Sequence, residues 1–131
     1  MIDVDLLARA VVATLETGDD AELLGALAPG AVTWHNNDRK EVDARINSSR
    51  AAAMLRMLRD PRVEVARVAG FGDGAVMQYV LRATLVSTGE TIEMHNCAVM
   101  SCDDRGRVTR IDEYVDTTAL AAFARAMPPQ S

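Results

Sequence analysis

Apolar positions follow a helical period at the start of the chain. Residues 5–16 place apolar side chains three and four positions apart, which predicts an amphipathic helix. Asp19 precedes Glu22 by three positions, the spacing of a capping box, so we expect a second, short helix to begin there and to end at "APG". Two helices therefore open the chain.

The segment 41–60 has the clearest helical pattern. One stripe of it is apolar and is expected to face the protein interior, whereas arginines and a serine occupy the opposite side. The members of this stripe are Ile46, Ala53, Met54, Met57 and Leu58. Pro61 is expected to end this helix. A last helix is predicted over 117–127, with Leu120, Phe123, Ala124 and Met127 directed inward and Pro128 ending it.

The period changes to two from residue 62 onward, which is typical of strands. Strands are predicted at 31–36, 62–70, 75–87, 91–102 and 107–116. The turn sequences "GDG", "STGE" and "DDRG" separate the last four and indicate an antiparallel meander. Helices followed by strands are typical of the α+β class. We expect a curved antiparallel sheet with a mixed edge, wrapped around the N-terminal helices to form a cone with an interior pocket.

Alternation along the strands separates an inward face from an outward face. The inward set is mostly apolar and holds a few polar side chains. Its members near the expected pocket are Tyr79, Leu81, Met94, Asn96, Ile111, Glu113 and Val115. His35 and His95 fall on the outward faces in this assignment, where packing or subunit contacts are the expected roles.

The stretch "AVTWHNN" at 31–37 places the single Trp beside two asparagines. Asn is disfavoured in strands because its side chain competes for backbone hydrogen bonds. Trp34 and Asn36 share one strand face, since strand side chains alternate. Either the strand ends here, or the pair lines a cavity. In the second interpretation both residues join Tyr79, Asn96 and Glu113 around one interior space.

Glu113 is the inward residue with the most distinctive chemistry. A carboxylate that leaves water needs hydrogen bonds, or it keeps a proton because its pKa has risen. One acid with a few convergent polar groups in an apolar cavity is typical of a small-molecule site. The alternative is a solvated or structurally bonded glutamate near a rim of the sheet.

Composition and charge narrow the functional classes. The chain has 131 residues, of which 49% are hydrophobic, and this suits one domain. We expect residues 1–127 to form it and residues 128–131 to fray. A net charge of −5 disfavours nucleic acid and anionic membranes as partners. The absence of a long apolar run and of a secretory signal predicts a cytoplasmic protein that does not enter membranes.

In its element order the chain resembles the nuclear transport factor 2-like superfamily, and it is most similar to the SnoaL-like and limonene-epoxide-hydrolase-like branches. The resemblance is sharpest in "VTWHNN" after two helices and in the closing "GRVTRIDEYVD". It implies a cone-shaped pocket for an apolar small molecule and, often, a homodimer through the outer sheet face. It also implies that no metal or organic cofactor is used.

The resemblance assigns roles to individual residues. In the epoxide hydrolases an aromatic residue and an Asn two positions later hold the attacking water, and Trp34 and Asn36 match that pattern. Glu113 stands where those enzymes have an acidic base. Their Arg-x-Asp pair is absent, because Tyr79 and Leu81 are near its place. The ketosteroid isomerase branch has a first-strand acid that this chain lacks. SnoaL-like cyclases rely chiefly on one acid near the last strand, which Glu113 supplies.

The sequence is compatible with two functions. The first is a cofactor-free acid/base enzyme of cyclase, isomerase or hydrolase type that acts on an apolar cyclic substrate, with Glu113 as general base and Asn36 and Tyr79 as catalytic partners. Its substrate-binding wall would contain Trp34, Met54, Leu58, Leu81, Met94, Asn96 and Val115. The second is a non-catalytic ligand-binding or dimerisation module of the same fold.

Overall fold

The computed structural model of the protein describes residues 2–126, so the expected inward side chain of Met127 and the expected frayed tail 128–131 lie outside the described residues. Four helices and six strands form this part of the chain and confirm the α+β class. They are α1 (Val4–Thr17), α2 (Ala21–Ala26), β1 (Leu27–His35), β2 (Glu41–Asp43), α3 (Ala44–Leu55), β3 (Leu58–Phe71), β4 (Gly74–Leu85), β5 (Thr91–Cys102), β6 (Val108–Tyr114) and α4 (Thr117–Ala126).

The six strands form one open, mixed sheet in the order β2-β1-β6-β5-β4-β3. Strands β3 to β6 pair antiparallel with their sequence neighbours, as the turn sequences predict. Strand β1 lies parallel to β6, so the first strand stands beside the last. Strand β2, which the sequence pattern does not predict, pairs antiparallel with β1 at the sheet edge.

The first two helices begin at aspartates. The Asp3 carboxylate accepts a hydrogen bond from the Leu6 N–H at 3.0 Å and caps α1. The predicted capping box of α2 is wrong, because Asp20 is the N-cap and its side chain makes no capping bond. The Asp20 carboxylate instead accepts a 2.6 Å hydrogen bond from the Ser48 hydroxyl, which ties the start of α2 to α3.

Helix α3 is shorter at both ends than the predicted span. Asp43 fixes its start, because the Asp43 carboxylate accepts the backbone N–H groups of Arg45 and Ile46 at 2.8 and 3.2 Å. The helix ends at Leu55. Pro61, predicted to end it, lies instead in edge strand β3 at a register irregularity, a place where a missing backbone N–H is tolerated.

The predicted inward stripe of this helix is only partly right. Ile46 is 51% exposed, while Ala44 and Ser48 are buried. Small side chains occupy the buried positions of α3, whereas the prediction placed large apolar side chains there. In α4, Phe123 is buried as predicted but Ala124 is exposed, since the buried face runs through Ala122.

Two clusters of buried apolar side chains lie between the helices and the sheet. One joins α1 to β1, β4, β5 and β6, and the other joins α4 to β3, β4 and β5. The inward face predicted for β4 is confirmed, and its residues Met77, Tyr79, Leu81, Ala83 and Leu85 are all buried. No helix within residues 2–126 is both long enough and apolar enough to cross a lipid bilayer.

Candidate functional site

A cavity of about 330 Å³ lies between the helices and the helix-covered face of the sheet. This volume is within the range of roughly 300–1,000 Å³ that is common for small-molecule sites. Most of its wall is apolar, and α1, α3, α4 and strands β4 to β6 all contribute. The apolar wall includes Val11, Leu15, Met54, Leu81, Met94, Ala98, Met100, Ile111, Val115 and Leu120. All the residues of β4, β5 and β6 and just beyond that were predicted to face inward near the pocket line this one interior space: Tyr79, Leu81, Met94, Asn96, Ile111, Glu113 and Val115.

Three polar side chains on neighbouring strands converge on this cavity. The Tyr79 hydroxyl donates a short hydrogen bond to Oε1 of Glu113. Asn96 Nδ2 donates to the Tyr79 hydroxyl at 3.3 Å. The Asn96 amide is itself held, because its Oδ1 accepts the backbone N–H of Asp116 at 2.9 Å. The remaining carboxylate oxygen, Oε2 of Glu113, has no hydrogen-bond partner among the described residues.

The environment of Glu113 changes its acidity. Burial raises the pKa of the Glu113 carboxyl to about 7, and the hydrogen bond from Tyr79 opposes this rise. Burial and the nearby Glu113 carboxylate raise the pKa of the Tyr79 hydroxyl well above its ordinary value. Tyr79 therefore keeps its proton at neutral pH, while Glu113 exchanges its proton near neutrality. Such a carboxyl can accept or deliver a proton under physiological conditions.

Seven of the ten residues predicted for the site line the cavity: Glu113, Tyr79, Asn96, Met94, Leu81, Met54 and Val115. Leu58 does not, because it begins β3 and packs in the apolar cluster beneath α4. Trp34 and Asn36 do not either, and the predicted orientation of β1 is wrong.

Strand β1 alternates as expected but in the opposite phase. Trp34 contacts Tyr114 edge to face, with the ring centroids 5.5 Å apart. Tyr114 is 45% exposed, so this aromatic pair lies on the outer side of the sheet. Thr33, by contrast, is 2% exposed and lines the cavity.

Asn36 has a structural role at the end of the β1–β6 pair. Its Oδ1 accepts the Val115 N–H at 2.8 Å, and its Nδ2 donates to the Val115 carbonyl at 3.4 Å. The side-chain amide thus continues the hydrogen bonding after β6 ends at Tyr114. This explains an asparagine at a strand end, and it keeps Val115 against the cavity.

The reversed phase brings three other residues of "AVTWHNN" to the cavity: Thr33, His35 and Asn37. His35 is in register with Glu113 across the parallel β1–β6 pair, so both side chains stand on the same sheet face. The outward assignment of His35 is therefore wrong, whereas His95 is exposed and bonds Glu93. The only sequence signal for this phase is the small size of Ala31 and Thr33, which suits a face covered closely by helices.

The cavity opens between the end of β1 and α3. We call Asn37, Asp38, Asn47 and Arg50 the polar mouth, because they line the cavity and Asn37, Asp38 and Arg50 are exposed. The pKa of His35 is lowered, mainly by burial; Asp38 opposes this and Arg50 adds to it. His35 thus lies within electrostatic reach of both charged mouth residues. Within residues 2–126, no cluster of three His, Cys, Asp or Glu side chains could hold a metal ion.

The fold is α+β, with a mixed sheet of this strand order, helices over one face, and Glu113, Tyr79 and Asn96 inside the cavity. These features define a protein of the nuclear transport factor 2-like class. The sequence profile of the SnoaL-like domain matches residues 8–111. The chain therefore belongs to the SnoaL-like domain family, which confirms the resemblance seen in its sequence. The comparison with curated proteins finds no match.

Solved structures share this fold over nearly the whole chain. TsrD from Streptomyces laurentii is 18% identical with a TM-score of 0.77, and the match covers 97% of this chain and all of TsrD. AclR from Streptomyces galilaeus, a proposed hydroxylase, is 18% identical with a TM-score of 0.76 over 95% and 96% of the two chains. IdmH from Streptomyces antibioticus, a proposed polyketide cyclase, is 19% identical with a TM-score of 0.74 over 92% and 96%. These likenesses establish the fold.

Proposed function

We propose that the protein is an acid/base enzyme that uses its own side chains to act on an apolar, cyclic small molecule. Glu113 is the general base in this proposal. The observation that supports it is the position of this carboxyl in a mainly apolar cavity, with Tyr79 bound to one oxygen and the other oxygen unpartnered among the described residues. A pKa of about 7 suits the group to proton transfer near neutral pH.

The proposed step begins with ionised Glu113. Its free oxygen takes a proton from a carbon next to a substrate carbonyl, and the electron pair of that C–H bond moves to form an enolate. In a ketone with a β,γ C=C bond the product is a dienolate, and Glu113 returns the proton to its far carbon, which is an isomerisation. In a substrate with a second carbonyl, the enolate carbon attacks that carbonyl and closes a ring, and the resulting alkoxide takes the proton from Glu113. General-base assistance of this kind contributes typically about 10²–10⁴-fold to the rate.

Tyr79 and Asn96 orient the base in this mechanism. Tyr79 donates to Oε1, which leaves Oε2 directed to the substrate, and Asn96 fixes the Tyr79 hydroxyl. Asn36, expected from the sequence to be catalytic, is outside the cavity wall, so we assign it a positioning role through Val115. Membership of the SnoaL-like family and the likeness to IdmH support cyclisation as the reaction type.

Substitution of Glu113 by Gln tests the base. A panel of apolar cyclic ketones in D₂O is followed by NMR for exchange of the proton next to the carbonyl. We expect the wild type to accelerate exchange for at least one ketone and Glu113→Gln to lose about 10²-fold or more. Glu22→Gln, at an exposed glutamate of α2, is the matched control and keeps the wild-type rate. Equal rates in wild type and Glu113→Gln contradict the proposal.

The non-catalytic module is the second candidate, and the largely apolar cavity wall supports it. Binding of a ketone by wild type and Glu113→Gln alike, with no exchange in either, identifies such a module. A homodimer through the outer sheet face and a cytoplasmic location stay predictions from the sequence. The aromatic pair of Trp34 and Tyr114 lies on that outer face.

A further inference from the structure

The polar mouth contains the only cationic side chain that lines the cavity within residues 2–126, namely Arg50. Arg50 is on α3 and forms no ion pair with an acidic side chain of the described residues. Its charge nevertheless reaches inward, because it helps to lower the pKa of His35 on the cavity wall. A guanidinium without an ion-pair partner among the described residues, at the entrance of an apolar cavity, is suited to bind an anion.

Hydrogen-bond donors stand beside this guanidinium. Asn37 and Asn47 line the same cavity, and Asn47 precedes Arg50 by about one turn of α3. The side-chain amides of both make no hydrogen bond to other described residues. Each amide therefore has two N–H groups available for a ligand. Together with Arg50 they give the mouth the hydrogen-bond donors that a carboxylate needs.

The negative charge of Asp38 at the mouth disfavours binding of an anion. Asp38 lines the cavity and raises the pKa of His35, whereas Arg50 lowers it. One oxygen of Asp38 already accepts the Lys40 backbone N–H at 3.0 Å, which fixes this carboxylate within its own turn. The Arg50 guanidinium makes no such bond to the described residues, so it is the charged group of the mouth with more free hydrogen-bonding capacity, which favours an anionic ligand over a cationic one.

We propose that the ligand of this cavity is a small apolar molecule that carries a carboxylate, with the carboxylate held at the polar mouth by Arg50 and the apolar body held against Met94, Met100 and Leu120. The inference deepens the proposed function and rests on it, because it takes the same cavity as the ligand site. It places the charged group of the ligand at the entrance and the reacting part near Glu113.

The test compares 1-naphthoate with 1-naphthamide, an uncharged molecule of nearly the same shape, by isothermal titration calorimetry at pH 6. Glu113 is mainly protonated at this pH and repels neither probe. We expect wild type to bind naphthoate about tenfold more tightly than naphthamide, as for a charge-assisted hydrogen bond. Arg50→Gln removes this preference without weakening naphthamide binding, and added salt reduces it.

Arg45→Gln is the matched control, because Arg45 is an exposed arginine of α3 that does not line the cavity. It keeps the preference for naphthoate. Asp38→Asn increases naphthoate affinity by removing the negative charge that lines the mouth.

Four results would overturn the inference. Equal binding of the two probes, or an equal loss of both in Arg50→Gln, leaves the cavity as a ligand site but removes the role of Arg50. Tighter binding of 1-naphthylmethylamine than of naphthoate assigns the mouth to cations through Asp38. Binding of none of these probes contradicts the cavity as a site for apolar ligands, and the proposed function fails with it.

Discussion

Two oxygen-bearing side chains of the cavity wall, Glu113 and Thr33, differ in their surroundings. Glu113 has Tyr79 as a hydrogen-bond partner, and Tyr79 in turn has Asn96. The Thr33 hydroxyl is buried without any partner among the described residues. A buried polar group without a hydrogen bond costs free energy of folding, so Thr33 lowers stability unless a ligand or water bonds it.

Substitution of Thr33 by Val tests this at the level of one residue. Val has nearly the same shape and removes only the unpartnered hydroxyl, so we expect the free energy of unfolding to stay equal or to rise by about 1 kcal/mol. Thr33→Ser, which keeps the hydroxyl and loses the methyl group, lowers it by about 1 kcal/mol. Urea unfolding measures both. A loss above 1 kcal/mol in Thr33→Val indicates a bonded hydroxyl instead.

Sequence alternation identifies Glu113, Tyr79 and Asn96 as neighbours in the interior, because strands β4 to β6 carry clear apolar faces. It does not identify Thr33 or His35. Small and polar side chains on the covered face of β1 do not differ in pattern from solvent-facing ones. Only the register of β1 with β6, a long-range pairing, places His35 beside Glu113.

At the level of elements, β1 illustrates why size alone misassigns a strand face. Val32 and Trp34 are its large apolar residues, and the sequence favours them as core. In the structure Ala31 and Thr33 take the buried positions, and the register with β6 shifts between Leu27 and Val32. Such an irregularity changes the phase of the strand along its length.

Substitutions at two adjacent positions of β1 test its orientation. Trp34→Ala removes the contact with Tyr114 on the outer face, and we expect it to lower the free energy of unfolding by about 2 kcal/mol without changing naphthamide affinity. His35→Ala changes the cavity wall instead, and lowers naphthamide affinity about fivefold with little loss of stability. Urea unfolding and calorimetry measure these effects. A loss of naphthamide affinity in Trp34→Ala, together with a loss of stability and unchanged affinity in His35→Ala, contradicts the observed orientation of β1.

Strand β2 and the buried face of α3 could not be predicted for related reasons. Strand β2 has only three residues, two of them charged, and it exists because it pairs with β1. Helix α3 buries Ala44 and Ser48, and the Ser48 hydroxyl is satisfied by Asp20 from another element. Both features depend on partners that are distant in the sequence.

On the scale of the whole molecule, the fold class was accessible from the sequence because the change of period and three turn sequences fix the meander. The parallel pairing of β1 with β6 could not be predicted, since no local pattern encodes which distant strand β1 joins. This pair nevertheless completes the cavity, because it places the polar residues of β1 beside the carboxylate of β6.

The pKa of Glu113 is the quantity on which the proposed chemistry depends. A protein labelled with ¹³C at the glutamate carboxyls is titrated by NMR, and the Glu113 signal is the one missing in Glu113→Gln. We expect a midpoint of about 7, since burial disfavours the charged form. Because a base must be ionised, exchange activity then rises with pH through this midpoint.

Tyr79→Phe is the control for the surroundings of the carboxyl. The Tyr79 hydrogen bond lowers the pKa of Glu113, so its removal shifts the titration midpoint to higher pH. A midpoint near the ordinary value of 4.5 that does not move in Tyr79→Phe shows a solvated glutamate, and contradicts an enclosed base in this cavity.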